Sequence, residues 1–217
     1  MTHTITILYT QNIRGAFGLL PRLSTLIRRL RRAAAGEVLL LDMGNSCADS
    51  VPLCAQTQGR AVLILLDAMT YDAANVAAFL TAQARAKLVD NYLHLTPVDA
   101  AHPFETESGL VYAAKPTTAG TRTLHLSFET KPETHLIPEE SGGFVYTLHL
   151  RTLQAGQVGR AMLLMDEDEI ELIEFGIHEL GRQVLPDPTI AGTLDFVRAE
   201  ARTYQRSSTN GRDQQDE

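Results

Sequence analysis

The chain has 217 residues, with 19 lysines and arginines against 26 aspartates and glutamates, giving a formal charge of −7 with histidine neutral. Hydrophobic residues make up 44% and charged residues 21%, values that suit a globular chain with one sizeable core and exclude general disorder or a fibrous repeat. The acidic balance argues against nucleic acid as the main partner, and no apolar run approaches the roughly 20 residues of a membrane span.

Thr4 to Tyr9 is β-branched and apolar and stops at a polar, glycine-containing segment, the pattern of a strand followed by a loop. Leu20, Leu23, Ile27 and Leu30 recur at helical spacing over Leu20 to Arg32, and Gly36 closes that element behind basic side chains. Val38 to Met43 is apolar at nearly every position, as expected of a strand with both faces covered, so the three elements read as a right-handed βαβ unit. Gly59 to Met69 and Ala77 to Leu88 read as helices, with a short strand over Ala73 to Val76 between them. Beyond Asp90, strands are expected at Leu110 to Ala113, Thr123 to Phe128, Phe144 to Leu150 and Arg160 to Met165, in a mostly antiparallel arrangement. Asp187 and Pro188 then announce a helix as N-cap and first helical residue, with Ile190, Leu194, Val197, Ala201 and Tyr204 on one stripe. From Arg206 almost nothing is apolar. The expected organisation is one domain over 1–205 and a flexible polar tail over 206–217.

Three segments in order resemble the opening of the 5′-nucleotidase branch of the calcineurin-like metallophosphoesterases. Ile7 to Gly15, ILYTQNIRG, resembles ILHTNDxHG; Leu39 to Ser46, LLLDMGNS, resembles LLLDAGDS; and Met69 to Phe79, MTYDAANVAAF, resembles the stretch from GYDA to GNHE. Gln154 to Met165 and Pro186 to Ile190 are similar to that family's closing strand and exit helix. The resemblance implies an α/β fold, a metallophosphoesterase-like layered sandwich of mixed β-sheets flanked by helices, in a shortened form. It also implies two metal ions that clamp a phosphoryl group and make hydroxide from water.

The ligand positions of those motifs hold other residues. The Asp and His of DxH fall on Asn12 and Arg14, the bridging Asp of GD on Asn45, and the Asn and His of GNHE on Ala78 and Phe79. No GHxH motif is present, and the histidines, including His94, His102, His125, His135, His149 and His178, show no recognisable metal spacing. A metal pair needs carboxylates and imidazoles around it, and Asn45 offers a neutral amide. A guanidinium at about 4 Å from a divalent ion would be repelled by roughly 8 kcal/mol at an effective dielectric of ~20, unless Arg14 turned away into solvent.

Gln11, Asn12, Arg14, Asn45 and Ser46 are expected at the carboxyl ends of neighbouring strands, where open α/β sheets place ligands. Arg14 there either holds a phosphate or carboxylate in place of metal, or is a relic loop residue, solvated or paired. The arginines of the first helix, Arg22, Arg28, Arg29, Arg31 and Arg32, complement its dipole, and Asp166 to Glu169 reads as a solvated turn, not a calcium loop. Cys47 and Cys54 are too few for a disulfide framework and read as reduced thiols, Cys47 as a small buried one. No basic flank and apolar stretch precede Thr4, so no signal peptide is read and the expected location is the cytoplasm.

The leading expectation is a catalytically degenerate, non-enzymatic homologue without cofactor, acting as a binding or assembly module through an unknown protein partner or self-association, with no nucleic-acid or membrane partner. The alternatives are a phosphohydrolase using Mn or Zn held by unconventional ligands drawn from Asp42, Asp49, Asp72 or the late histidines, and a sensor of a small anion built on Arg14.

Overall fold

The structure, a computed structural model, describes residues 2–48, 50–89, 93–114, 122–139, 144–166 and 169–210. The first βαβ unit forms as its pattern predicts: β1 (His3–Thr10), α1 (Leu20–Ala33) and β2 (Glu37–Asp42), with β1 and β2 parallel. Gly36 makes the return from α1 with φ of +71°, and a Cβ there would stand 2.1 Å from the Thr4 carbonyl oxygen, so both conformation and space require glycine.

Next come α2 (Pro52–Thr57), α3 (Arg60–Ala68), β3 (Ala73–Asn75), α4 (Ala82–Val89) and β4 (Thr96–Val98). The helix expected from Ala77 begins only at Ala82. Residues 77–79 form a turn instead, and the Thr81 hydroxyl caps the true start by accepting the Ala84 N–H at 3.1 Å.

The second half supplies β5 (Phe104–Glu105), β6 (Leu110–Ala113), β7 (Arg122–Ser127), β8 (His135–Pro138), β9 (Phe144–His149), β10 (Gln157–Met165) and β11 (Ile170–Glu179). They do not make a mostly antiparallel unit. β10 and β11 join the first sheet, whose order is β11-β10-β1-β2-β3-β4, while the other five form a second sheet ordered β5-β6-β7-β9-β8. In that second sheet the central pairs β6–β7 and β7–β9 are parallel, and only the outer pairs are antiparallel.

The inner strands β1 and β2 are buried on both faces, which explains their unbroken apolar runs, whereas the edge strand β11 is largely half-exposed. Ile5, Ile7, Tyr9, Leu39, Leu41, Ala161 and Leu163 point into the space between the sheets, against Leu110, Tyr112, Leu124, Leu126 and Leu148. On the other face Leu8, Leu40 and Val158 pack on Leu20, Leu23 and Ile27 of α1 and on Leu63 and Leu66 of α3. The last helix, α5 (Pro188–Asn210), lays Ile190, Leu194 and Val197 into that core, and Ala201 is also buried. The Tyr204 side chain lies outside the described residues. The helix runs to Asn210, past the expected tail boundary at 206, and 211–217 lie outside the described residues.

Asp187 is the N-cap that its place before Pro188 predicts, accepting the Thr189 N–H at 2.9 Å. It is also an anchor. Its carboxylate accepts the Ser24 hydroxyl at 3.0 Å and pairs with Arg28, while its own N–H donates to the Pro21 carbonyl at 2.8 Å. Three arginines of the basic α1 are thus spent internally: Arg28 here, Arg22 on the carbonyls of Gly181 and Val184, and Arg31 on Thr70 and Asp72.

Candidate functional site

The loops after β1 and β2 run side by side at the carboxyl ends of their strands. Backbone bonds lace them together: Asn12 N–H to Gly44 O at 3.0 Å, Arg14 N–H to Asn45 O at 2.8 Å, and Gly15 N–H to Ser46 O at 3.0 Å. Asn12, Arg14 and Asn45 all adopt left-handed backbone, with φ of 57°, 48° and 58°. Asparagine accepts that conformation readily, whereas for arginine it costs on the order of 1 kcal/mol, and such strain gathers where loop shape is over-determined by its surroundings.

The side chains then close on one another. Asn45 Nδ2 donates to Asn12 Oδ1 at 3.0 Å, and Asn12 Nδ2 donates to the Leu153 carbonyl at 2.8 Å. Gln11 is buried and staples the same loop before β10, its Oε1 accepting the Leu153 N–H and its Nε2 donating to Thr130 Oγ1, both at 3.1 Å. Arg14 is exposed and makes no side-chain hydrogen bond or ion pair among the described residues. Ser46 is fully buried and donates to Asp42 Oδ1 at 2.6 Å, beneath the loop.

Ala78 and Phe79 do not join this group through any contact of that kind. Ala78 is exposed on the 77–79 turn, and the half-buried Phe79 ring lies over Gly59 at the start of α3, where an added Cβ would sit 2.4 Å from the ring. Apolar burial against the helical layer gives that ring its place.

Below the loops lies a buried polar cluster, of which the sequence marks Asp42 and Ser46 as candidates but not their joining. Asp42 ends β2 with no exposure; its Oδ1 takes the Ser46 hydroxyl and, at 3.4 Å, the Thr10 hydroxyl, while Oδ2 is buried without a hydrogen-bond partner. Burial pushes the Asp42 carboxyl up to about 7, against the opposing pull of Ser46, the Gly44 N–H and Thr10. Tyr71 meets the Thr10 hydroxyl at 2.9 Å and Tyr112 donates to the Asp42 carbonyl at 2.9 Å. Burial holds both phenols above their ordinary value. The sequence signal for that joining was no more than an aspartate ending an otherwise apolar strand.

Cys47 and Cys54 are joined as a disulfide, which overturns the reading of reduced thiols. The bond ties the end of the Asn45–Ser46 loop to α2, with both residues buried. Seven positions of separation carried no signal for it, because the contact depends on α2 folding back under the loop.

The residues present do not fit a pair of divalent ions. At the five ligand positions of the motifs there is no carboxylate or imidazole, and the Asn12 amide oxygen is already taken by Asn45. Among the described residues no three His, Cys, Asp or Glu side chains are grouped to hold a metal. Asp42 is enclosed at the carboxyl end of β2, whereas Asp72, before β3, is engaged by Arg31 and the Leu40 N–H; Asp49 lies outside the described residues.

No family model matches the chain, and no curated protein matches it in sequence. Among solved structures, it is similar to the calcineurin-like phosphoesterase YfkN from Bacillus subtilis, with a TM-score of 0.55 and 12% identity, over 95% of this chain and 100% of that one. At this identity the likeness concerns architecture alone: two mixed sheets and their helices follow the fold of a calcineurin-like phosphoesterase.

Proposed function

We propose that the chain is a catalytically degenerate homologue of 5′-nucleotidase-type metallophosphoesterases that works as a non-catalytic binding or assembly module. The observation supporting this reading is the Asn45–Asn12 hydrogen bond of 3.0 Å between two positions where the resemblance calls for carboxylates around metal. The bond occupies the Asn12 amide oxygen, and two neutral amides supply none of the negative charge that paired cations need. Elemental analysis of the purified chain is expected to find no stoichiometric Mn, Zn or Fe, and p-nitrophenyl phosphate and its bis ester to remain uncleaved with added Mn. Two metal equivalents with chelator-sensitive hydrolysis would overturn the proposal.

A second reading rests on Arg14, an exposed residue whose backbone N–H bonds the Asn45 carbonyl of the same loop pair: an anion-binding site for phosphate. Inorganic phosphate should then raise the melting temperature, and Arg14→Ala should abolish the rise. An unchanged shift would remove that role.

Among the described residues no helix is long and apolar enough to cross a membrane. The disulfide bears on the cytoplasmic assignment, because such bonds persist mainly in oxidising compartments. A cytoplasmic role therefore requires the two sulfurs to be found reduced in the cell.

A further inference from the structure

At the other end of the parallel strands, before β3 and β4, a cleft of about 260 Å³ opens between α3 and the second sheet. Asp67, Thr70, Asp72, His94, Thr96 and Phe104 contribute to its lining. Tyr71 also lines it and reaches the buried polar cluster through the Thr10 hydroxyl; the other six lie outside the loop site.

The end of α3 is built around Thr70. Thr70 N–H donates to Asp67 O at 2.8 Å and Tyr71 N–H to Leu66 O at 3.1 Å, the double bond of a helix terminus whose outer residue must be left-handed. Glycine is favoured there, and the resembled GYDA motif has it. This chain places a β-branched threonine at φ of 62° instead. The hydroxyl is used: it accepts Arg31 Nη1 at 2.6 Å, while Arg31 Nη2 reaches Asp72 Oδ2 at 3.0 Å.

The cleft's charge is negative. Arg31 offsets Asp72, whose ionisation is opposed chiefly by burial and in smaller part by Glu37, and among the described residues no cation pairs with Asp67. One Asp67 oxygen, Oδ1, is held by the N–H groups of His94 at 2.8 Å and Leu95 at 2.9 Å, which fixes the carboxylate beside the cleft. Phe104 adds an aromatic wall, and Thr70 and Thr96 add hydroxyls.

We propose that this cleft is a binding site for a small organic amine, its ammonium group against Asp67 and its carbon stem along Phe104. The volume admits only a small ligand, below the usual range for drug-sized sites. The inference does not depend on the fate of the metal positions and is tested apart from them.

The test is calorimetric titration of the full chain with butylamine, cadaverine and spermidine hydrochlorides, using butanol and sodium chloride at matched ionic strength as controls. Saturable binding of at least one amine and of neither control is expected. Asp67→Asn keeps an oxygen for the His94 and Leu95 N–H groups while removing the charge, and should weaken binding tenfold or more. Phe104→Leu removes the aromatic wall while keeping an apolar side chain, and should weaken amine binding several-fold; it serves as the check if Asp67→Asn fails to fold. No saturable amine binding, or affinity unchanged in either folded variant, overturns the site.

Discussion

Replacing Asp42 by asparagine should make the protein more stable, and only above a defined pH. In the folded chain burial holds this carboxyl at about 7, against an ordinary 3.8. The folded state therefore keeps a proton that the unfolded chain releases, so stability falls as pH rises from about 4 through about 7 and levels off beyond. A difference of roughly three pH units at 1.36 kcal/mol each amounts to about 4 kcal/mol. The side chain has no exposure, so burial sets the order of magnitude of this difference. Asparagine keeps an oxygen for the Ser46 hydroxyl and sets its amide where Oδ2 already lacks a partner, so the substitution changes charge more than bonding. Urea unfolding followed by circular dichroism at pH 4, 6 and 8.5 measures the variant-minus-wild-type difference, in which all other titrations cancel. The expected gain is near zero at pH 4 and reaches a few kcal/mol at pH 8.5. A difference that is flat with pH, or an asparagine variant weaker than wild type at pH 8.5, would refute the reasoning.

The disulfide closes a ring of about eight residues, so its reduction should cost on the order of 2.5 kcal/mol by loop entropy. A thiol assay on denatured, unreduced protein should find none, and two free thiols would contradict the bond. Gly159→Ala should destabilise by about 1–3 kcal/mol in urea unfolding, because the new Cβ would stand 2.1 Å from the Tyr9 ring, which is fully buried and fixed by its hydroxyl to the Arg151 carbonyl. A loss under about 0.5 kcal/mol would show that the ring can retreat. Thr70→Gly should gain roughly 1 kcal/mol by removing left-handed strain, net of the lost Arg31 bond, and a thermal melt below wild type would contradict this.

The legible part of the fold is the part governed by apolar continuity and capping. β1, α1, β2, α3 and β3 follow from runs and helical stripes, and Asp187–Pro188 marks the start of α5 within a residue. The second sheet was harder because alternation in strands of four to six residues shows which face is buried, not which way a neighbour runs, so the parallel β6–β7–β9 core was invisible. α2, the short strands β4, β5 and β8, and β11 went unread, although Pro52 at a helix start and the apolar positions of β11 were available signals. At the site, position was legible and conformation was not. The motifs located Gln11, Asn12, Asn45 and Ser46 in touching loops, but the amide pair, the inward turn of Ser46 onto Asp42 and the withdrawal of Phe79 depend on packing between distant segments.

β1 lies between β2, its near neighbour in the chain, and β10, which comes some 150 residues later. During synthesis at about 5–20 residues per second, one edge of the central strand must wait roughly 8–30 s for its partner to emerge. Over that interval one edge of β1 stays unpaired and Ile5, Ile7 and Tyr9 lack the apolar surroundings of the finished core, so the order of synthesis, and not only the final packing, sets how long this strand is exposed.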